Sequence, residues 1–301
     1  MAESQAPPDI SMRGKVCLVT GATSGIGKMT ALELAAKGAT VVIVGRSRDK
    51  CEDTLQEIEA ATGSKSLDYF VCDLSSFVEV RRLSQEFLAK YNKLNVLVNN
   101  AGAIFMRKAN SPDGLEVTWA LNHFAYFWLT CLLLDVLKAS HPSRVVNVSS
   151  DAHKRASLNE LPNFRGKMPV GYISYANTKL ANVLFTNQLA YSIKSTGVTV
   201  NSLHPGVVAT NFGANNGLVG KIMQTYAGTL GVKASEGAKT VVYLATAPEL
   251  YTTTGKYFVN CREVNSSRAS YDTKFGAKLW QWSLDVSQRL GMDTRRIEIL
   301  K

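Results

Sequence analysis

The sequence predicts an α/β fold, a doubly wound parallel sheet flanked by helices on both faces. Three observations carry this expectation. Short apolar runs alternate with amphipathic segments along most of the 301 residues, the rhythm of repeated strand–helix–strand units. The runs are near-continuous in β-branched residues, as in Val41-Val42-Ile43-Val44, a composition suited to strands buried on both faces. A glycine-rich turn, Thr20-Gly21-Ala22-Thr23-Ser24-Gly25-Ile26-Gly27, joins the first run to the first amphipathic segment. Parallel strands linked through helices imply right-handed crossovers.

The elements follow in order. Lys15–Thr20 is the first strand, and Ile26–Lys37 the first helix, with Met29, Leu32, Ala35 and Ala36 inward. Thr40–Val44 is the second strand; Ser47–Ala61 is a helix with Cys51, Leu55 and Ile58 on one side. Leu67–Cys72 is a strand, Phe77–Tyr91 a helix, Asn95–Val98 a strand and Pro112–Ser140 one long helix. Arg144–Val148 is the fifth strand, Ser174–Ser195 a helix and Thr199–Leu203 the sixth strand. Beyond it the pattern is less regular: loop and helix over Val207–Gly231, a helix at Ser235–Thr246 and a last strand at Lys256–Asn260. No proline- or glycine-rich linker interrupts the pattern, so the chain reads as one domain over 1–301.

Composition narrows the class. With 46% apolar and 19% charged residues the chain can bury a sizeable core. The longest apolar stretch, Phe124–Leu134, is short for a bilayer span, contains Thr130 and Cys131, and is followed by Asp135; it reads as a buried helix. Met1–Ser11 holds Glu3, Pro7, Pro8 and Asp9 and no apolar core for a signal peptide or transmembrane anchor. Residues 1–13 read as a loose tail. Cys17, Cys51, Cys72, Cys131 and Cys261 are odd in number and scattered, with no Cys-x-x-Cys, which suits reduced thiols in a cytoplasmic protein. The four histidines have no ligand spacing, so no metal is expected. The net charge of +10 is dispersed, with only short clusters at Arg46-Ser47-Arg48 and Arg295-Arg296. That argues for a solvated surface and an anionic small ligand rather than nucleic acid.

The glycine-rich turn lies where chemistry is expected. Its glycines allow a tight turn and close approach of a pyrophosphate, while the helix N-terminus adds free N–H groups and positive potential. The spacing is Gly-x-x-x-Gly-x-Gly, so the turn reads as a dinucleotide site, with an ordinary tight turn as the alternative. The second strand ends at Gly45-Arg46, where an acidic residue would bind the 2′-hydroxyl of NAD. No acid stands there. Arg46, backed by Arg48 and Lys50, suits a 2′-phosphate through forked pairing, and NADP(H) is expected over NAD(H).

Tyr175 and Lys179 stand four apart on a helix, on one face, with Cα atoms about 6 Å apart along the axis. At about 5 Å an ammonium would favour phenolate by roughly 3 kcal/mol. That would lower the tyrosine pKa by about two units, into a range useful for acid–base work. A pair of solvated neighbours has the same spacing.

Together these residues resemble the short-chain dehydrogenase/reductase family. Thr20-Gly21-x-x-x-Gly25-x-Gly27 is similar to its cofactor loop, in which Thr23, Ser24 and Ile26 also fall. Asn99-Asn100-Ala101-Gly102 resembles the motif after the fourth strand, and Asp73-Leu74 the adenine contact. Ser150, Tyr175 and Lys179 match the catalytic triad and Asn122 the fourth catalytic position. Pro205-Gly206 with Val208 and Thr210 matches the segment that grips the nicotinamide carboxamide. The likeness runs from about Lys15 to about Gly291 and implies a Rossmann-type fold. The long stretch from Asp151 to Ser174, the segment Asn122-His123-Phe124-Ala125-Tyr126-Phe127 and the C-terminal Leu279-Trp280-Gln281-Trp282-Ser283 are similar to the retinol dehydrogenase-like branch. Many animal members of that branch carry an N-terminal membrane anchor.

The resemblance implies interconversion of a carbonyl and an alcohol. Tyr175 would be the acid/base, and Ser150 would donate a hydrogen bond to the reacting oxygen. Lys179 would lower the Tyr175 pKa and bind the nicotinamide ribose, and Asn122 would hold a water leading to solvent. Ser149 and Ser150 point to opposite faces; Ser150 matches the catalytic position, and Ser149 and Asn147 read as structural. His153 and His204 read as local hydrogen-bonding residues. Two segments, 151–174 and 207–231, would recognise substrate. Their apolar residues (Leu158, Leu161, Phe164, Met168 and Val170; Phe212, Leu218, Val219, Ile222 and Met223) suit a hydrophobic carbonyl and equally suit covering the core. An NAD-linked alcohol dehydrogenase and a non-catalytic dinucleotide sensor on the same fold stay open. Family members commonly pair through the helices at Pro112–Ser140 and Ser174–Ser195, which makes a homodimer an expectation.

Overall fold

The computed structural model describes residues 10–156, 171–206 and 233–298. The chain begins with β1 (Val16–Thr20), α1 (Gly25–Ala36), β2 (Thr40–Gly45), α2 (Arg48–Thr62), β3 (Leu67–Val71), α3 (Phe77–Lys90) and β4 (Val96–Asn99). Next come α4 (Val117–Trp119), a π-turn (Ala120–Phe124), α5 (Ala125–Leu132), α6 (Leu134–Ala139) and β5 (Ser143–Val148). A 3-10 turn (Asp151–Arg155), α7 (Tyr172–Ser192) and β6 (Val198–His204) follow. Then come α8 (Ala234–Thr246), β7 (Tyr257–Val259), β8 (Arg262–Val264), α9 (Thr273–Arg289) and α10 (Arg295–Glu298).

The strands form one sheet in the order β3-β2-β1-β4-β5-β6-β7-β8. All neighbours are parallel except β7 and β8, which form an antiparallel hairpin. β8 was not expected, because its three exposed residues Arg262, Glu263 and Val264 carry no apolar pattern. Strand order reverses between β1 and β4, and the crevice at their carboxyl ends is where open α/β sheets bind ligands.

Alternation along the strands builds two cores. Leu18, Val42 and Val44 face the layer of α3, α5, α7 and α9, while Cys17, Val19, Val41 and Ile43 face α1, α2 and α8. Each fully buried aliphatic side chain contributes about 2 kcal/mol of hydrophobic transfer energy.

Three expectations need correction. On α1 the buried residues are Gly27, Thr30, Ala31, Leu34 and Ala35. Ala36 is exposed and Met29 and Leu32 are half-buried, because α1 packs closely on α8 as well as on the sheet and small residues line that contact. The helix expected over Pro112–Ser140 starts at Val117, where the Glu116 carboxylate accepts the N–H groups of Thr118 and Trp119. It then widens into the π-turn and breaks at Leu133. The tail expected to be loose through residue 13 is docked at Met12, which is buried and exchanges backbone hydrogen bonds with Lys37 and Lys15.

α9 lies on α7 and on the aromatic face of α5. Trp280 sits 5.2 Å from Phe127 and 5.9 Å from Phe185, and Trp282 sits 4.9 Å from Phe124 and 5.4 Å from Trp119, ring centre to ring centre. No helix among the described residues is long and apolar enough to cross a membrane.

Candidate active site

The turn after β1 is held against the end of β4. Thr20 Oγ1 donates to Val98 O at 3.2 Å and accepts the N–H groups of Asn100 and Ala101 at 2.9 and 3.1 Å. Asn100 Nδ2 donates to the carbonyls of Thr20 and Gly21. Gly21 has φ +63 and lies so close to β4 that a Cβ would stand 2.8 Å from Ala101 Cα. A Cβ on Gly27 would strike the Gly21 carbonyl and stand 2.5 Å from Asn100 Nδ2. Ser24 precedes α1 in extended conformation without a capping side-chain bond, and the first turn of α1, from Gly25 and Ile26, holds no acid. The helix N-terminus therefore keeps free N–H groups and its positive potential. Thr23 approaches Gly45 so closely that a Cβ there would lie 2.6 Å from Thr23 Cγ2.

Arg46 is exposed just past β2 and has no ion pair among the described residues. Arg48, expected to back it, is engaged by other partners: its guanidinium donates to Tyr69 Oη at 2.8 Å and lies 3.7 Å from Glu52. Lys50 is exposed on the same turn. Asp73 Oδ1 accepts from the N–H and hydroxyl of Ser75, and Leu74 is buried beside it. Pro205 and Gly206 (φ +87) follow β6. Val208 and Thr210 lie outside the described residues, as do most of the two segments expected to meet substrate.

The candidate catalytic residues come from three elements. Ser149 and Ser150 follow directly on β5, Tyr175 and Lys179 lie in the first turns of α7, and Asn122 sits in the π-turn. Ser149 is buried and donates to the Lys179 carbonyl at 2.8 Å, which fastens α7 to the strand end. Ser150 is half-buried; its Oγ accepts the Ala152 N–H at 3.2 Å and hydrogen-bonds the Tyr175 phenol. Lys179 is 3% exposed. Its ammonium donates to Val148 O at 2.9 Å and stands 5.6 Å from the ring centres of both Tyr175 and Tyr126. A Cβ on Gly102 would lie 3.2 Å from Asn122 Oδ1 and 3.4 Å from Lys179 Nζ, so the backbone after β4 passes between them.

Electrostatics depart from the expectation for the Tyr–Lys pair. Burial pushes the Tyr175 phenol up to about 12, with Tyr172 adding to the rise and the Ser150 hydrogen bond opposing it. Burial also pulls Lys179 down to about 7. Both shifts run against phenolate formation, opposite in direction to the effect that the Tyr–Lys spacing alone implies. Helical spacing indicates proximity; the desolvation that reverses the sign is a property of the assembled fold.

Asn122 is a clamp. Its Oδ1 accepts the Ala103 N–H and its Nδ2 donates to the Ala103 carbonyl, both at 2.9 Å, and Nδ2 also reaches Thr178 Oγ1. Its backbone carbonyl accepts from Asn182 Nδ2 at 2.8 Å. A single side chain thus ties the backbone after β4 to the residue before Lys179. Asn147 is structural, accepting from Asn99 and donating to Thr186.

Three supporting residues escaped the sequence reading. Tyr126, buried under Lys179, is i+4 from Asn122, a spacing that could have flagged it. Glu116 is buried with no cationic partner among the described residues. Its carboxylate accepts from Thr118 N and Oγ1, Trp119 N and Ser174 Oγ, so it joins the start of α4 to the residue before Tyr175. Tyr257, buried on β7, walls the site near His153. Nothing local to the sequence marks Glu116 or Tyr257 for this place.

Comparisons with known proteins identify the family. Residues 15–218 match the short chain dehydrogenase family. Retinol dehydrogenase 12 of Mus musculus is 37% identical over 278 residues, covering 92% of this chain and 88% of that protein. Retinol dehydrogenase 13 of Homo sapiens is 36% identical over 282 residues, covering 91% and 85%. Among solved structures, an uncharacterised protein from Mycobacterium paratuberculosis superposes with a TM-score of 0.73 at 28% identity, covering 93% and 95% of the two chains. The Pseudomonas aeruginosa RhlG/NADP active-site complex gives 0.67 at 27% identity, covering 84% and 97%. The chain therefore belongs to the short-chain dehydrogenase/reductase family of oxidoreductases, in its retinol dehydrogenase-like branch.

Proposed function

We propose that this chain is an NADP(H)-dependent oxidoreductase that interconverts a hydrophobic aldehyde or ketone and its alcohol, with Tyr175 as the acid/base. The observation that carries the reading is the Ser150–Tyr175 hydrogen bond beside a buried Lys179, at the sheet edge that also holds the glycine turn. When bound, the nicotinamide dinucleotide supplies or accepts the hydride.

The chain's own residues do the rest. The uncapped N-terminus of α1, with Gly21, Thr23, Ser24, Gly25, Ile26 and Gly27 around it, suits a diphosphate. The Cβ clashes at Gly21 and Gly27 indicate backbone packing that leaves no side chain in the way. Arg46, exposed and unpaired among the described residues, suits a 2′-phosphate, and two solved relatives bound to NADP support that choice. Asp73, Leu74, Asn100, Ala101, Gly102, Pro205 and Gly206 border the same crevice, and Val208 and Thr210 complete the expected set.

In reduction, Tyr175 gives its phenolic proton to the developing alkoxide. Its raised pKa keeps that proton in place at neutral pH. Ser150 has one lone pair taken by the Ala152 N–H, which turns its hydroxyl toward Tyr175 and the reacting oxygen. Lys179, held by Val148 O and close to half-protonated near pH 7, can resupply the proton. A cytoplasmic location belongs to this reading, supported by the buried free thiols of Cys17, Cys51, Cys72 and Cys131, which suit a reducing compartment.

The test is consumption of NADPH and NADH, followed by near-ultraviolet absorbance, with retinal, medium-chain aldehydes, aromatic ketones and a quinone. Oxidation of NADPH by wild type, with none by Tyr175→Phe, is the expected result. Turnover retained in Tyr175→Phe would overturn the acid/base assignment. Binding of both dinucleotides without consumption of either would favour the sensor reading.

A further inference from the structure

The peptide unit that follows Ser150 is gripped at both of its polar atoms by imidazoles. The Ser150 carbonyl accepts from His153 Nδ1 at 2.7 Å and from the His153 N–H at 3.1 Å. The Asp151 N–H on the other side of that peptide donates to His204 Nδ1 at 3.2 Å. His153 belongs to the 3-10 turn after β5 and His204 ends β6, so the grip bridges two neighbouring strand ends.

Fixed backbone polarity assigns both tautomers. His153 Nε2 lies 3.0 Å from the Ser267 N–H, which can only donate, so Nε2 must accept and the proton sits on Nδ1. That proton meets a carbonyl, which can only accept. His204 has the opposite arrangement: its Nδ1 accepts the Asp151 N–H, so its proton sits on Nε2. An imidazolium at either position would set an N–H against an N–H. Burial holds both rings below their ordinary pKa, consistent with neutral imidazoles. His153 is wholly buried, with the Tyr257 ring 4.9 Å away and the Asp151–Lys154 ion pair on its own turn.

We infer that His153 and His204 are positioning residues: by clamping the Ser150–Asp151 peptide they set the direction in which the Ser150 hydroxyl points. The inference rests on Ser150 facing the reacting oxygen. Ser150 has an extended backbone, φ −158 and ψ 154, and only ψ separates the clamped peptide from the Cα–Cβ bond. A carbonyl held by two donors and an N–H held by one acceptor leave that angle little freedom. Through Ser267 the clamp also reaches the loop between β8 and α9, so this segment bears on a site it does not touch.

The test compares variants of the full chain with NADPH and the best carbonyl of the panel. His153→Leu keeps volume and removes the donor; His153→Asn places an amide nitrogen near the Nδ1 position. The expected result is a loss of about 30-fold in kcat for His153→Leu, with the KM for NADPH within about twofold, and recovery to within about fivefold in His153→Asn. A packing role alone would favour Leu over Asn. Ser267→Pro fits the observed φ of −65 and deletes the single N–H facing Nε2; a kcat loss of about threefold or more is expected even if the His153 variants fail to fold. Long-range 1H–15N spectra of wild type should show His153 as the Nδ1–H and His204 as the Nε2–H tautomer. An Nε2–H His153, or a fully active His153→Leu, would overturn the clamp. Full activity in Ser150→Ala would instead overturn the catalytic reading of Ser150 while leaving the tautomers as stated.

Discussion

Lys179 is bonded to Val148, the last residue of β5: its ammonium lies 2.9 Å from the Val148 carbonyl and 5.6 Å from the centre of the Tyr175 ring. The lysine is thus anchored by the strand end, with Tyr175 and Tyr126 as walls. It is buried with no carboxylate partner among the described residues, which is unfavourable for the isolated chain and leaves a charge available for a bound anion or hydroxyl.

A pH dependence of stability follows. Lys179 falls from 10.5 to about 7 in the folded chain. Between those values the unfolded state holds more protons, so stability rises with pH across the window and the full cost applies below it. The total is about 5 kcal/mol, of which about 4 kcal/mol applies at pH 7. Tyr175, raised from 10 to about 12, has the opposite sign and lowers stability above pH 10. Without dinucleotide, urea midpoints should climb from pH 7 to about 10 and then fall. Lys179→Met should be inactive, yet roughly 3 kcal/mol more stable at pH 7, after subtracting about 1 kcal/mol for the lost Val148 hydrogen bond. A less stable Lys179→Met would contradict this account.

Arg46→Asp should exchange cofactor preference. Replacing the exposed guanidinium by a carboxylate removes the 2′-phosphate partner and supplies an acceptor for a 2′-hydroxyl. The KM for NADPH is expected to rise about 10- to 100-fold while that for NADH falls. Arg48→Ala should change either KM by less than about threefold, since Arg48 is engaged with Tyr69 and Glu52. Steady-state kinetics with both dinucleotides decide the matter.

Arg144 is a structural cation at the opposite end of the sheet. It is buried on β5, donates to the Leu244 and Ala247 carbonyls at 2.9 and 2.6 Å and lies over the Tyr251 ring. It therefore neutralises the C-terminal end of α8. Arg144→Met would orphan both carbonyls and should cost about 2–4 kcal/mol by urea unfolding. The kcat of the folded fraction should be unchanged; a selective kcat loss would point to a role that this geometry does not explain.

The helices on which the family resemblance would pair two copies lie beneath α9. Every residue of α5 from Ala125 to Cys131 is buried within this single chain. Sedimentation should therefore find no dimer formed through that face. Trp282→Ala should cost about 3–5 kcal/mol, because the indole fills the space between Phe124 and Trp119. A stable dimer lost on mutating α9 would contradict the arrangement.

The strands were legible because burial on both faces writes itself as unbroken runs such as Val41–Val44, and the glycine turn because Gly21 and Gly27 have no room for a Cβ. Ser150, Tyr175 and Lys179 were legible from motif order, and sheet order then brings the end of β5 beside the first turns of α7. The inward face of α1 was misjudged because its partner α8 lies some 200 residues later and selects small side chains. The start at Val117 was hidden because the Glu116 cap is completed by Ser174 from another helix.

What the sequence by itself determined is the alternation that makes a doubly wound sheet, and the residue types on which the proposed acid–base chemistry rests. Both follow from short-range patterns: periodicity, turn glycines and fixed spacings. Tertiary structure alone decided the burial of the titratable groups and the partners they meet. Burial, which depends on what packs from afar, raised Tyr175 and lowered Lys179 against the sign that their spacing implies. The adjacency of β5 and β6 brought His204 to the peptide after Ser150, and Ser267, more than a hundred residues from His153 in sequence, assigned its tautomer.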